Sequence, residues 1–268
     1  NSDVITDDNI IFYQYTCIRA YIMGKEMFAG MLAFADFKNR VHIYENAFGA
    51  APDGVWANEC EVMTPNCVLT RDGESLHIEG KGKSLQYKLD LVPNKPAVWH
   101  GDNGILIMGK PGDKRERSLY WSYTNMSTVG ELTYKDSRGV ETKLAAEGRS
   151  WFDRQWGPFA NVRWAWFSLR FFDDEEIMLF SFPREGFKGA TYIDSKGGST
   201  VFSDFVYTID RWLGVSGSKV GIGWEIRVPV KERCYQVRPL MDEQVNVHPL
   251  GFYWEGLSEI INPDGKLV

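Results

Sequence analysis

From Leu85 to Leu91 every second residue is apolar: Leu85, Tyr87, Leu89 and Leu91 alternate with Gln86, Lys88 and Asp90. A two-residue period sends one set to one face of a β-strand and the other set to the opposite face, which does not match the 3.6-residue period of a helix. The stretches SLYWSYTNMS, ELTYKD, KLAAEG, VRWAWFSLRFF, IMLFSFP, GWEIRVPV and FYWEGLSEII also read as strands. Turn residues part them: Asp72-Gly73, Ser137-Arg138-Gly139, Asp173-Asp174, Ser195-Lys196-Gly197-Gly198 and Asp264-Gly265. Many short strands with regular turns predict an all-β chain built as a sandwich or barrel, with helix below the ~30% usual for globular proteins. At 268 residues the chain is long enough for one large domain or two modest ones. The strand number suits two barrels, residues 1–158 and 159–268, joined just after Trp156-Gly157-Pro158, near residues 157 to 162. With no linker between them, the halves should pack together.

Several partner classes drop out. A net charge of −6 and a pI near 5.4 are wrong for a nucleic-acid binder, which needs a basic field. No apolar run reaches the ~18 residues of a transmembrane helix. The opening NSDVITDD has neither an initiator methionine nor an apolar signal-peptide core, so the natural N-terminus is expected upstream. Cys17, Cys60, Cys67 and Cys234 show no C-x-x-C spacing. They read as a Cys60–Cys67 bridge or, in the favoured reading, as reduced thiols of a cytoplasmic-type compartment.

The usual chemical signatures are missing too. His42, His77, His100 and His248 form no close pair, and each reads as a turn or strand-face residue, not a metal ligand. EGKGKS (79–84) lacks phosphate-loop spacing, and the glycines of GVSGSKVGIG (214–223) read as a loop. DDEE (173–176) reads as a solvated hairpin tip, and the NMS sequon at 125–127, inside an apparent strand, as chance. No cofactor or metal is expected. What remains is acids and arginines among rings, in a chain that is 14% aromatic. The densest case is EGRSWFDRQWGPF (147–159). An acid held among rings has its pKa raised, because desolvation disfavours the anion, and can then donate a proton near neutral pH.

WHGDNG (99–104), SLYWSYTNMSTVGELTY (118–134) and EGRSWFDRQWG (147–157), in that order, resemble the AttH/carotenoid 1,2-hydratase family of lipocalin-like proteins. There an H-G-x-x-G turn precedes a Tyr-rich strand, a G-x-L strand and a G-x-x-W-x-D-x-x-W segment. WAWFSLRFFDDEEIMLFSF (164–182), GWEIRVPV (223–230) and YWEG (253–256) resemble later family motifs, and FYQYTCIRA and GMLAFADFKNRVHIYENAF its first strands. Two departures stand out: the usual opening E-W-W-Y is absent, and Arg154-Gln155 stand where many members carry His-Glu or His-Gln. The resemblance implies two lipocalin-like barrels side by side, an apolar ligand in or between them, and no cofactor. Family activities include hydration of an isoprenoid double bond, hydration of a prenylated phenolic, and pericyclic cyclisation of polyketide-like chains.

On this footing Asp153 is the candidate proton donor and Tyr123 its catalytic partner. Trp99, Trp121, Trp151 and Trp156 are expected to wall an apolar substrate, with Trp254 or Glu255 reaching in from the second domain. Strand alternation groups Trp121 with Tyr123 and Trp151 with Asp153, and puts Tyr120 and Tyr123 on opposite faces. Arg154 should point away and pair with Glu147 or Glu255. The competing structural reading has Asp153 capping or ion-pairing at the domain joint, with the tryptophans as packing. Three functions stay open: a hydratase or lyase on an apolar isoprenoid- or polyketide-like molecule, a pericyclic cyclase, or a non-catalytic carrier of lipophiles.

Overall fold

A computed structural model describes residues 2–6, 9–51, 53, 55–58, 61–108, 116–158, 163–249 and 251–268. Among them every regular element is a β-strand except one 3-10 turn, Val230–Glu232, which follows Pro229. The all-β expectation holds. The chain divides into two compact units, neither a single stretch of sequence. One comprises Asn1–Asn94, Asn125–Ser150 and Leu240–Leu257; the other comprises Lys95–Thr124, Trp151–Pro239 and Ser258–Val268. The strands Arg117–Lys135 and Glu141–Trp156 each contribute to both units. The joint expected after residue 158 falls inside the Trp151–Pro239 segment, and residues 159–162 lie outside the described residues.

The first unit is built on a meandering sheet in the order 41–50, 25–36, 9–22, 2–6, 141–156, 117–135, 85–93, 75–81, 67–72, 61–64, 56–57. Its alternation is the one the sequence shows: Leu85, Tyr87, Leu89 and Leu91 are buried while Gln86, Lys88 and Asp90 are exposed. Fully burying one such side chain contributes about 1.5–3 kcal/mol, so a one-residue slip would reverse a large term at every position. Elements far apart in the ladder order meet through side chains. Glu45 accepts hydrogen bonds from the backbone N–H of Lys83 and Ser84, both at 2.6 Å, and Asn66 Nδ2 donates to Gly30 O at 3.3 Å. Two closed barrels, as expected from the sequence, are not found: among the described residues no strand ladder closes a sheet on itself, and these contacts go from side chain to backbone. The segment 240–257 packs Met241 and Leu257 against Phe12, Ala35 and Phe37.

The second unit holds two four-stranded antiparallel sheets, 165–170 to 199–202 and 206–215 to 258–261 in their hydrogen-bonded orders. Every residue of Glu176–Phe182 is buried, so this strand shows no alternation of burial. Ile177 and Leu179 face one core with Phe167, Ile226 and Val237, while Met178, Phe180 and Phe182 face another with Val98, Tyr120 and Trp151.

Two sequence expectations need correcting. DDEE is not wholly solvated: Glu176 is 1% exposed and holds Lys95 Nζ at 2.9 and 2.7 Å through its two oxygens. Lys95 also donates to the carbonyls of Asp174 and Asp194, which is how a buried cation is tolerated here. GVSGSKVGIG is no loop but the hairpin of Val206–Val215 with Ser218–Val228, turned at Ser216-Gly217 with φ of 47° and 78°. Cys67 is a free, buried thiol, and Cys60 lies outside the described residues. Asn125 of the sequon is buried in its strand.

Candidate functional site

Ser118, Tyr120, Ser122 and Thr124 occupy every second position of the strand Arg117–Lys135 and are 1%, 2%, 0% and 0% exposed. Period two therefore assembles a buried column of hydroxyls on one face. The neighbouring strand Glu141–Trp156 presents Trp151, Asp153 and Gln155 to the same side, with Gln155 Nε2 donating to Ser118 Oγ at 3.0 Å. Where the two faces meet, Asp153 Oδ1 accepts three hydrogen bonds. They come from Tyr120 Oη at 2.8 Å, from Trp151 Nε1 at 2.7 Å and from Ser122 Oγ.

Both hydroxyls are contacted from behind. Trp166 Nε1 donates to Tyr120 Oη at 3.0 Å, and His100 Nε2 lies 2.8 Å from Ser122 Oγ. The other imidazole nitrogen, Nδ1, lies 2.9 Å from Thr191 Oγ1. His100 and Thr191 are both fully buried, and the imidazole packs on the Tyr120 ring with centroids 4.3 Å apart. The turn Trp99–Gly104 holds His100 in place: its N–H bonds Tyr120 O at 3.1 Å, and Gly104, at φ 90°, lies where a Cβ would be 2.7 Å from Trp99 Cε3. Phe180 and Trp166 add edge contacts to Tyr120 and Trp151.

Asp153 is exposed on its strand, yet the protein crowded around its carboxyl desolvates it and raises its pKa. The three donors pull in the opposite direction, because each stabilises the anion, and crowding outweighs them. Tyr120, buried beside this carboxylate, has its own pKa pushed well up, so it stays a donor. Burial pushes His100 down to about 3, so its imidazole is neutral in this network.

The sequence candidates separate into groups. Trp151 and Asp153 meet as expected. Trp121 and Tyr123 do not join them: they project from the other face, where Trp121 contacts Tyr123, Phe152 and, across the strand pair, Trp99. The same-face rule held within each strand, but the even positions of 118–124, not the odd ones, face Asp153. Trp156 is 44% exposed and lies under the Arg154 guanidinium at 5.9 Å, so that cation meets a ring where Glu147 or Glu255 was expected. Trp254 and Glu255 belong to the first unit, where Trp254 Nε1 bonds Asp242 O and Glu255 accepts from Gln14 at 2.6 Å. His100, Ser122, Thr191 and Trp166 were missed. The signal for Tyr120 and Ser122 was present as a hydroxyl at every second position of SLYWSYT.

No group of three or more His, Cys, Asp or Glu among the described residues could hold a metal ion, and none of their helices is long and apolar enough to cross a membrane. A family model described as AttH-like matches residues 19–266. Among solved structures, an AttH protein from Nitrosomonas europaea matches with a TM-score of 0.85 at 17% identity, over 99% of this chain and 87% of that one. Kievitone hydratase from Nectria haematococca matches with a TM-score of 0.77 at 16% identity, over 99% and 84% of the respective chains. No curated protein matches the sequence. At such identities the solved structures speak for the fold alone.

Proposed function

The chain belongs to the AttH-like family, and from that premise we propose that it is a cofactor-independent hydratase, or a hydro-lyase in reverse, with Asp153 as general acid. The substrate class is an apolar isoprenoid- or polyketide-like molecule carrying a double bond. The observation that carries the reading is the asymmetry of the Asp153 carboxyl. Three donors converge on Oδ1, no hydrogen bond to Oδ2 is found among the described residues, and crowding favours the protonated acid. A neutral carboxyl so placed keeps Oδ1 as acceptor and carries its proton on Oδ2. That a hydratase, kievitone hydratase, shares the fold supports the assignment.

In the forward step Oδ2–H protonates one alkene carbon. The π pair becomes the new C–H bond, and the other carbon becomes a cation. Water adds to that cation, and the oxonium returns its extra proton to the Asp153 carboxylate. One water is added, and no electrons enter or leave. The half-buried indole of Trp166, bonded to Tyr120, is the aromatic group at hand to stabilise the cation.

The test is incubation of the protein with a panel of prenylated phenolics, isoprenoid alkenes and polyketide-like polyenes in ¹⁸O-labelled water. The expected product is an alcohol carrying the label, absent with Asp153→Asn. Bound alkene recovered unchanged would make the protein a carrier, and a ring-closed product of unchanged mass would make it a cyclase. Either result overturns the hydratase reading.

A further inference from the structure

His100 is buried with both ring nitrogens engaged, and its partners fix a direction. We propose that His100 is a positioning residue that orients the Ser122 hydroxyl toward Asp153 Oδ1 and thereby keeps the acid's proton on Oδ2; this rests on Asp153 as the acid. The polarity follows from counting protons. Ser122 has one hydroxyl proton and donates it to Asp153. Its oxygen, 2.8 Å from His100 Nε2, must then accept, so Nε2 carries a proton. A neutral imidazole has only one N–H, which leaves Nδ1 as an acceptor for the Thr191 hydroxyl at 2.9 Å. The chain therefore runs Thr191 to His100 to Ser122 to Asp153, each link donating to the next.

The second hydroxyl at Oδ1 is arranged in parallel, with Trp166 N–H donating to Tyr120 Oη and Tyr120 O–H to Asp153. An indole can only donate, so that arm cannot reverse. A hydroxyl can rotate, so the Ser122 arm needs a fixed donor behind it, and His100 supplies one from a position held by Thr191 and the Tyr120 ring. Tyr120 and His100 are the titratable groups bonded into this carboxyl's network; Trp151 and Trp166 contribute uncharged N–H groups.

The test is by NMR. In ¹⁵N-histidine protein, with His100→Gln assigning the signal among the four histidines, His100 is expected neutral and protonated on Nε2 throughout the range from about pH 5 to 8, in which an ordinary histidine titrates. In protein with ¹³C-labelled aspartate carboxyls, Asp153 should titrate higher in His100→Phe and in Ser122→Ala than in the wild type. The double variant should add nothing further. His100→Gln, whose amide can donate to Ser122 and accept from Thr191, should restore the wild-type value. An Nδ1–H tautomer, a cationic His100, or an unmoved Asp153 titration in folded His100→Phe overturns the proposal. If His100→Phe does not fold, the wild-type tautomer with Ser122→Ala and His100→Gln still decides it. A protein inactive on every alkene yet showing this tautomer and titration would remove the catalytic reading and keep the positioning one.

Discussion

Trp166 Nε1 lies 3.0 Å from the Tyr120 hydroxyl, so Tyr120 accepts from an indole and directs its own proton to Asp153 2.8 Å away. A group that only donates thus sets the direction of one that can do both. This polarises the Tyr120 arm toward a single carboxylate oxygen, and cooperative chains of this kind are stronger than their separate links.

Asp153→Asn keeps the shape and removes the transferable proton. Hydration should fall by roughly 10²–10⁴-fold with ligand affinity nearly unchanged, read by kcat and by titration with an unreacted alkene. Stability should move the other way. A carboxyl whose folded pKa is raised favours folding below its unfolded pKa, and that stability is lost as pH rises through the folded value. At neutral pH the amide, always neutral, should therefore melt no lower than the wild type. A clear drop in Tm with activity retained would make Asp153 a structural anchor.

Tyr120→Phe deletes a donor that stabilises the Asp153 anion, so the acid should titrate higher still. Turnover by a general acid falls as pH rises through its pKa, so the falling limb of the pH–rate profile should shift to higher pH. Trp121→Leu, on the opposite face, should leave that limb in place. Profiles that shift equally in both variants would contradict the facing described here.

Glu176 serves two cations, bonding the buried Lys95 directly and raising the pKa of the half-buried Arg170, which desolvation has lowered to about 10. Glu176→Ala should cost about 3–5 kcal/mol in urea unfolding, because it leaves buried positive charge without its counter-ion. Lys95→Met removes one cation and leaves Arg170 beside Glu176, so it should cost less.

Gly104→Ala forces a side chain into a left-handed turn, with its Cβ 2.7 Å from the Trp99 ring. A loss of about 1–3 kcal/mol is expected from thermal unfolding. The turn also carries His100, so the Asp153 titration should move with it.

The two-residue alternation by itself determined the class of this protein and much of its inner face: Leu85, Tyr87, Leu89 and Leu91 are inside because strand geometry allows them no other shared side. It also placed Trp151 beside Asp153, since i and i+2 share a face in any strand. It could not say which face of one strand meets which face of the next. That depends on register, and the register turned Tyr120 and Ser122 toward the acid, and Trp121 and Tyr123 away. His100 and Glu176 looked like a turn residue and a hairpin tip because what buries them is distant in sequence: Thr191 lies 91 residues from His100, and Lys95 lies 81 from Glu176. Local pattern encodes which side chains share a side of a strand; only long-range strand pairing and sheet packing decide which polar groups lose water together, and so which of them become acids, donors or anchors.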